Sequence, residues 1–273
     1  MSYTPTELMT VAAARLLKDS DVCFVGIGLP SAVCNLARLS HAPNITLIYE
    51  SGTIAARPTV LPLSIGDGEL CETALTTVSV PEMFRYWLQG ERITIGFLSA
   101  AQIDRHANLN TTVIGPYDEP SVRLPGAGGA PEIATACRET FIVMPQSRRS
   151  FVDGLDFLTS FGSGRGGDER RSLGIRTKGP TQVITDLCIM QPDAETKELT
   201  VTSLHPGVEP EVVRAATGWP LRFAPRLAQT APPTDHELEI LRALHRRTAA
   251  AHDGDRPSAT RPGSVARVKD IVQ

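Results

Sequence analysis

No apolar run in this 273-residue chain approaches the roughly 18–20 residues of a membrane-spanning helix. A strong charge of either sign is also missing: the net charge is −3, so neither nucleic acid nor an anionic membrane is an expected partner. Any acidic ligand would need a local positive site. The five cysteines (Cys23, Cys34, Cys71, Cys137 and Cys188) include no C-x-x-C pair, and most sit in apolar segments. An odd, scattered set excludes a disulfide framework or a zinc site and reads as reduced thiols, which places the chain in the cytoplasm. The polar first eight residues, without a charged leader and apolar core, agree with that expectation.

Other absences exclude chemistries. No His, Cys, Asp and Glu residues recur at metal-ligand spacing, so no metal is expected. No G-x-S-x-G elbow occurs, which argues against a serine hydrolase. Gly26-Ile27-Gly28-Leu29-Pro30 lacks the third glycine of a dinucleotide fingerprint, and Pro30 stands where the helix should begin. No permanently bound cofactor is expected.

What is present has the pattern of an α/β protein. Residues 4–17 combine Thr4, Pro5 and Glu7 with an amphipathic run, the signature of a capped helix. Strand 23–26, helix 31–39 and strand 46–49 follow as a parallel-sheet unit. Further strands are predicted at 93–98, 140–144 and 181–187, with an antiparallel addition at 198–204; helices are predicted at 80–88, 131–136 and 210–217. Residues 160–178, rich in Gly, Arg and Ser, read as a mobile surface loop. The expected organisation is a main α/β domain over 1–228. An exposed charged helix and a disordered tail follow over 229–273.

Two strands end in glycine-bearing turns, and one delivers a carboxylate: residues 45–49 are followed by Glu50-Ser51-Gly52. At the end of a strand in an open sheet, a glutamate beside exposed glycine amides can attack an acyl thioester while the amides receive the oxyanion. Taken alone, Glu50 is more simply a surface or N-capping glutamate. Pro125-Gly126-Ala127-Gly128-Gly129-Ala130-Pro131 opens a predicted helix and can approach a ligand closely, though a tight turn would need the same glycines and the Lys-Ser/Thr of a P-loop is absent. Residues 64–70 form a polar turn that could line a site, residues 204–208 a plain turn, and His106 a solvated turn histidine outside the catalytic set.

Together, Val25-Gly-Ile-Gly-Leu-Pro30, Ile48-Tyr-Glu50-Ser-Gly52 and Leu124-Pro-Gly-Ala-Gly-Gly-Ala130 resemble the beta subunit of a family I coenzyme A transferase, in the family's order and approximate spacing. Gln102-Ile-Asp-Arg105 with Asn108 and Asn110, and Thr202-Ser-Leu-His-Pro-Gly207, extend the resemblance to about residues 5–225. The resemblance implies a three-layer α/β/α fold around an open, mostly parallel sheet, with Glu50 as nucleophile. It places Gly26 and Gly28 at the border of the site, and Gly128 or Gly129 as oxyanion donor. It also implies coenzyme A thioesters as substrates and an alpha subunit that completes a hetero-oligomer.

Within the family, Ile48-Tyr-Glu-Ser-Gly, residues 61–70 and residues 84–90 look like the branch acting on 3-oxoadipate with succinyl-CoA, the glutaconate branch being near. Related ring-cleaving hydrolases lack the glutamate, so its presence favours transfer over hydrolysis. A ligand-sensing module would predict a DNA-binding helical unit at one end, and none is evident. Arg85, Arg105 and Arg123 are candidates to grip a substrate's distal carboxylate bidentately, each being more simply a surface arginine.

Overall fold

The computed structural model describes residues 1–252, so the tail expected after residue 250 lies, beyond His252, outside the described residues. The elements in chain order are α1 (Pro5–Ala14), β1 (Val22–Phe24), α2 (Leu29–Leu39), β2 (Thr46–Ile48), β3 (Thr53–Ile54), α3 (Gly68–Glu72), β4 (Thr76–Thr77) and α4 (Val80–Glu82). A π-helical segment, Met83–Leu88, follows α4 directly. Then come β5 (Ile95–Leu98), β6 (Gln102–Ile103), β7 (Leu109–Asn110), β8 (Val113–Ile114), β9 (Val122–Arg123), α5 (Ala130–Ala136), β10 (Glu139–Val143) and α6 (Glu169–Ser172). The chain continues through β11 (Pro180–Ile184), β12 (Cys188–Pro192), β13 (Leu199–Leu204), α7 (Pro210–Ala215), β14 (Arg222–Gln229) and α8 (Asp235–His252).

Ten strands form one sheet in the order β14-β13-β12-β11-β10-β5-β1-β2-β3-β4. Its centre, β11-β10-β5-β1-β2, is parallel throughout. Antiparallel pairings flank it at β11-β12-β13 and β2-β3-β4, the former matching the predicted addition. Because successive residues of a strand point to opposite faces, the central strands feed two cores. Cys23, Val25, Leu47 and Tyr49 join α1, α2 and α8 on one face; Phe24, Ile48 and Ile142 join Met83, Leu88 and Ile133 on the other. The result is three layers, α/β/α.

The start of α1 is held by a reciprocal cap: the Glu7 amide donates to Thr4 Oγ1 (3.1 Å) and the Thr4 amide to Glu7 Oε2 (2.8 Å). Helix α8 departs from the expected appendage. Its Leu238, Leu241 and Leu244 are buried, and Leu241 and Leu244 belong to the same core as α1 and α2. Arg15 pairs with Glu237 (2.6 Å) and Arg242 with Glu7 (2.6 Å) across the seam. The leucines recur at three-residue spacing among charged neighbours, and that narrow stripe reads as an exposed helix. The edge strand β14 also crosses the expected boundary at 228; its Pro225 and mostly exposed residues hide the strand pattern.

The segment 160–178 is tied down rather than open. Asn108 Oδ1 accepts from the Gly162 (2.9 Å) and Gly164 (3.0 Å) amides, and Asn108 Nδ2 donates to the Gly164 carbonyl (2.7 Å). Arg170 is buried, its guanidinium donating to the Ala134 carbonyl (3.1 Å) and Thr177 Oγ1 (2.8 Å). Side-chain-to-backbone bonds of this kind leave no trace in sequence periodicity.

Candidate active site

Strand β2 ends at Ile48, and the next four residues reverse the chain into β3. The Tyr49 amide donates to the Thr53 carbonyl (3.1 Å), the Gly52 amide to the Tyr49 carbonyl (2.9 Å), and the Val78 amide to the Gly52 carbonyl (2.9 Å). Gly52 has φ 103°, and a Cβ there would lie 1.9 Å from the Val78 carbonyl oxygen, so no other residue fits. Below the turn, the buried Tyr49 hydroxyl bonds Ser31 Oγ at 3.0 Å, and burial pushes that phenol up to about 12. Glu50 therefore stands on a rigid base at the carboxyl end of the parallel strands.

The adjacent strand β1 ends beside it: the Val25 amide donates to the Ile48 carbonyl (2.8 Å), and Gly26–Gly28 turn into α2. Gly28 caps α2 at φ 79°, a conformation that favours glycine. Opposite Glu50 lies the loop that opens α5. A Cβ on Gly129 would fall 3.1 Å from Glu50 Oε1 and 2.8 Å from Phe84 Cζ, so the carboxylate and the ring converge on a position where only hydrogen fits. Gly128, at φ 50°, faces open space. The amides of Gly26, Gly28, Gly128 and Gly129 have no acceptor among the described residues.

Glu50 is half-buried and makes no hydrogen bond among the described residues. Burial, and then the charge of Glu132 in the first turn of α5, hold its carboxyl above the usual carboxylate range. A partly desolvated carboxylate with free glycine amides nearby is suited to attack an electrophilic carbonyl, because the amides can take the charge that develops on oxygen. Among the described residues no group of three or more His, Cys, Asp or Glu could hold a metal ion.

The three arginines are dispersed. Arg85 is exposed on the π-helical segment. Arg105 pairs with Asp153. Arg123, exposed on β9, lies over the Tyr117 ring, 5.3 Å from its centroid. None pairs with Glu50 among the described residues. The Asp104-to-Asn110 stretch is a knitted hairpin: Asn108 Nδ2 donates to Asp104 Oδ2 (2.8 Å) and Asn110 Nδ2 to Gln102 Oε1 (2.7 Å). His205 is buried against the Thr185 carbonyl (2.8 Å), and the turn at 64–70 is largely exposed, with Asp67 capping α3. Phe84 and Glu132 escaped sequence reasoning. A carboxylate in a first turn reads as a partner of the helix dipole, and a π-helical residue reads as one more helix position.

The Coenzyme A transferase family profile matches residues 6–216. This chain belongs to the coenzyme A transferase family. Over 251 residues the transferase chain is 63% identical to a 3-oxoadipate CoA-transferase subunit of Pseudomonas knackmussii, covering 92% of this chain and 96% of that one. It is 35% identical over 238 residues to a glutaconate CoA-transferase subunit of Acidaminococcus fermentans, covering 85% and 88% respectively. The crystal structure of glutaconate coenzyme A-transferase from that organism superposes with a TM-score of 0.83 at 31% identity, covering 88% of this chain and 94% of the other. The fold expected from the motifs is the fold found. Among the described residues no helix of the transferase chain is long and apolar enough to cross a membrane.

Proposed function

We propose that this chain is the glutamate-bearing beta subunit of a cytoplasmic transferase that moves coenzyme A from succinyl-CoA to 3-oxoadipate, together with an alpha subunit. The observation that carries the reading is the Glu50 carboxylate 3.1 Å from the position that Gly129 leaves empty, at the carboxyl end of the parallel strands. The 63% identity to a 3-oxoadipate CoA-transferase subunit supports the choice of acceptor.

The chemistry proceeds in two halves. Glu50 attacks the succinyl thioester carbonyl, a glycine amide stabilises the tetrahedral oxyanion, and the C–S bond breaks to leave an anhydride and coenzyme A thiolate. The thiolate then attacks the Glu50 carbonyl, releasing succinate and leaving a glutamyl–CoA thioester. In the second half a carboxylate of 3-oxoadipate attacks that thioester. The released thiolate takes up the new acyl group, and Glu50 is restored as a free carboxylate. One thioester replaces another, so the sequence needs no ATP. A surface arginine among Arg85, Arg105 and Arg123 would pair with the distal carboxylate.

The test is covalent trapping. The chain, co-expressed with its neighbouring subunit, is incubated with succinyl-CoA, treated with borohydride and examined by peptide mass spectrometry. Reduction of Glu50 to the alcohol, dependent on succinyl-CoA, is the expected result. Unmodified Glu50 with steady release of free coenzyme A would make the protein an acyl-CoA hydrolase. Discharge of the adduct by glutaconate in preference to 3-oxoadipate would move it to the glutaconate branch.

A further inference from the structure

The transfer mechanism leaves Phe84 unused, yet its ring tip converges with the Glu50 carboxylate on one point in space. A Cβ at Gly129 would lie 2.8 Å from Phe84 Cζ, 3.1 Å from Phe84 Cε1 and 3.1 Å from Glu50 Oε1. The ring arrives there because Met83–Leu88 is wound as a π-helix: the Gln89 amide donates to the Phe84 carbonyl (2.8 Å) and the Arg92 amide to the Trp87 carbonyl (3.0 Å). In an α-helix, residues five apart point about 140° away from each other. The wider i→i+5 turn instead lets Met83 and Leu88 enter the core together, and both are fully buried. Phe84 is half-buried against the same core, braced edge-on against the buried Phe24 ring (centroids 6.4 Å apart, 73° between planes). The turn closes at Gly90, where a Cβ would lie 2.1 Å from the Tyr86 carbonyl oxygen.

The side chain so placed has no donor or acceptor. Glu50 itself has no hydrogen-bond partner among the described residues, and its Oε1 and the ring face the same point beside Gly129. A hydrocarbon wall offers nothing to water and nothing to the reaction except exclusion. The glutamyl–CoA thioester is the state that needs exclusion most, because water competes with the acceptor carboxylate for its carbonyl carbon.

We propose that Phe84 is a positioning residue that keeps water from the acylated Glu50, so that the glutamyl–CoA thioester is held for transfer rather than hydrolysis. The proposal rests on Glu50 being the nucleophile. In the step the ring suppresses, a water oxygen attacks the Glu50 carbonyl carbon and the C–S bond breaks. Coenzyme A leaves as its thiol with one proton from water, Glu50 returns to the carboxylate, and the second proton passes to solvent.

The test follows the lifetime of the thioester in the assembled two-subunit enzyme. After the first half-reaction with succinyl-CoA and removal of small molecules, release of free coenzyme A into buffer without acceptor is measured with a thiol reagent. Borohydride-reducible Glu50 is counted in parallel. Phe84→Leu removes the ring tip yet keeps the branch that packs on Phe24. It should speed coenzyme A release by at least about tenfold, with the initial yield of adduct unchanged. Phe84→Ala should release faster still, and if that variant fails to assemble Phe84→Leu decides alone. Tyr86→Ala, exposed on the same segment, should match the wild type. Release from Phe84→Leu at the wild-type rate would overturn the proposal while leaving the nucleophile intact. An adduct absent from the wild type as well would remove both.

Discussion

Replacing Gly129 by Ala tests the site at its narrowest point. Gly129 has φ −84° and ψ 2°, which alanine adopts freely, so the backbone raises no objection. The loss of glycine's freedom in the unfolded chain would even stabilise the protein by about 0.4–1 kcal/mol. Against that stands the new methyl, 2.8 Å from Phe84 Cζ and 3.1 Å from Glu50 Oε1. Carbon atoms settle about 3.5–4.0 Å apart, so the ring must retreat by about 1 Å and the carboxylate by a few tenths. Overpacking of this kind costs about 1–3 kcal/mol, leaving a net destabilisation of about 0–2.5 kcal/mol. The consequence for chemistry is larger, since a misplacement near 1 Å can cost about 10²-fold in rate. We expect the single-turnover rate of borohydride-trappable adduct to fall about 10- to 100-fold. The thermal midpoint should fall by no more than about 10 °C, at roughly 2–4 °C per kcal/mol. Gly167→Ala, at φ 54° with open space around it, puts more strain on the backbone than Gly129→Ala but crowds nothing, and should keep its rate. Wild-type trapping by Gly129→Ala would refute the convergence of ring, loop and carboxylate as a functional arrangement.

Glu50→Gln should abolish transfer, by at least about 10³-fold in kcat, without lowering the thermal midpoint at neutral pH. Because the folded carboxyl is raised, its contribution to stability is full below the unfolded value of about 4.3 and is lost as pH rises through the folded value. A melting point several degrees below wild type would contradict this. Glu132→Gln removes the charge that helps raise Glu50, so the acidic limb of the trapping rate should move to lower pH; an unmoved limb would discount the pair. Gly52→Ala meets the Val78 carbonyl and an unfavourable φ, and should cost more than the about 1–3 kcal/mol of ordinary overpacking, read as a lower denaturant midpoint. In acid, α8 should loosen before the sheet. Arg242 hydrogen-bonded to Glu7 holds that carboxyl at about 2, and at Glu237 burial is outweighed by Arg15 and Thr234, again giving about 2. The stability these pairs add is present above about pH 4.3 and is lost as pH falls through about 2. Hydrogen exchange across α8 should report it, and uniform protection there at pH 2.5 would contradict it.

The parallel centre of the sheet is legible because its strands are buried on both faces and so read as mostly apolar runs bounded by turns, as at residues 45–49 and 140–144. The first-turn cap of α1 was equally plain in Thr4 and Glu7. What stayed hidden is held by side-chain contacts between distant parts of the chain. Asn108 and Arg170 order the glycine-rich 160–178 segment, and buried leucines of α8 dock it onto α1 and α2. At the site, Glu50 and the two glycine turns stood out because turns at strand ends carry recognisable residues. Phe84 did not, since its place depends on an i→i+5 turn that no local pattern announces. Only their chemistry singles out the arginines, and the fold sends Arg105 to Asp153 and Arg123 to Tyr117.

The alternation of β2 between two cores makes the position of Glu50 a question of parity. Leu47 and Tyr49 belong to one side of the sheet and Ile48 to the other, so the next residue along is committed before the turn begins. Deleting one residue from the run 45–49 would send its aliphatic side chains into the wrong layer. It would also turn the carboxylate away from Gly129. Two deletions would restore the phase but draw Glu50 back by about 6.6 Å of strand, out of reach of the glycine loop. Substitution of Leu47 or Ile48 by other apolar residues leaves this strand workable, whereas a change in its length does not.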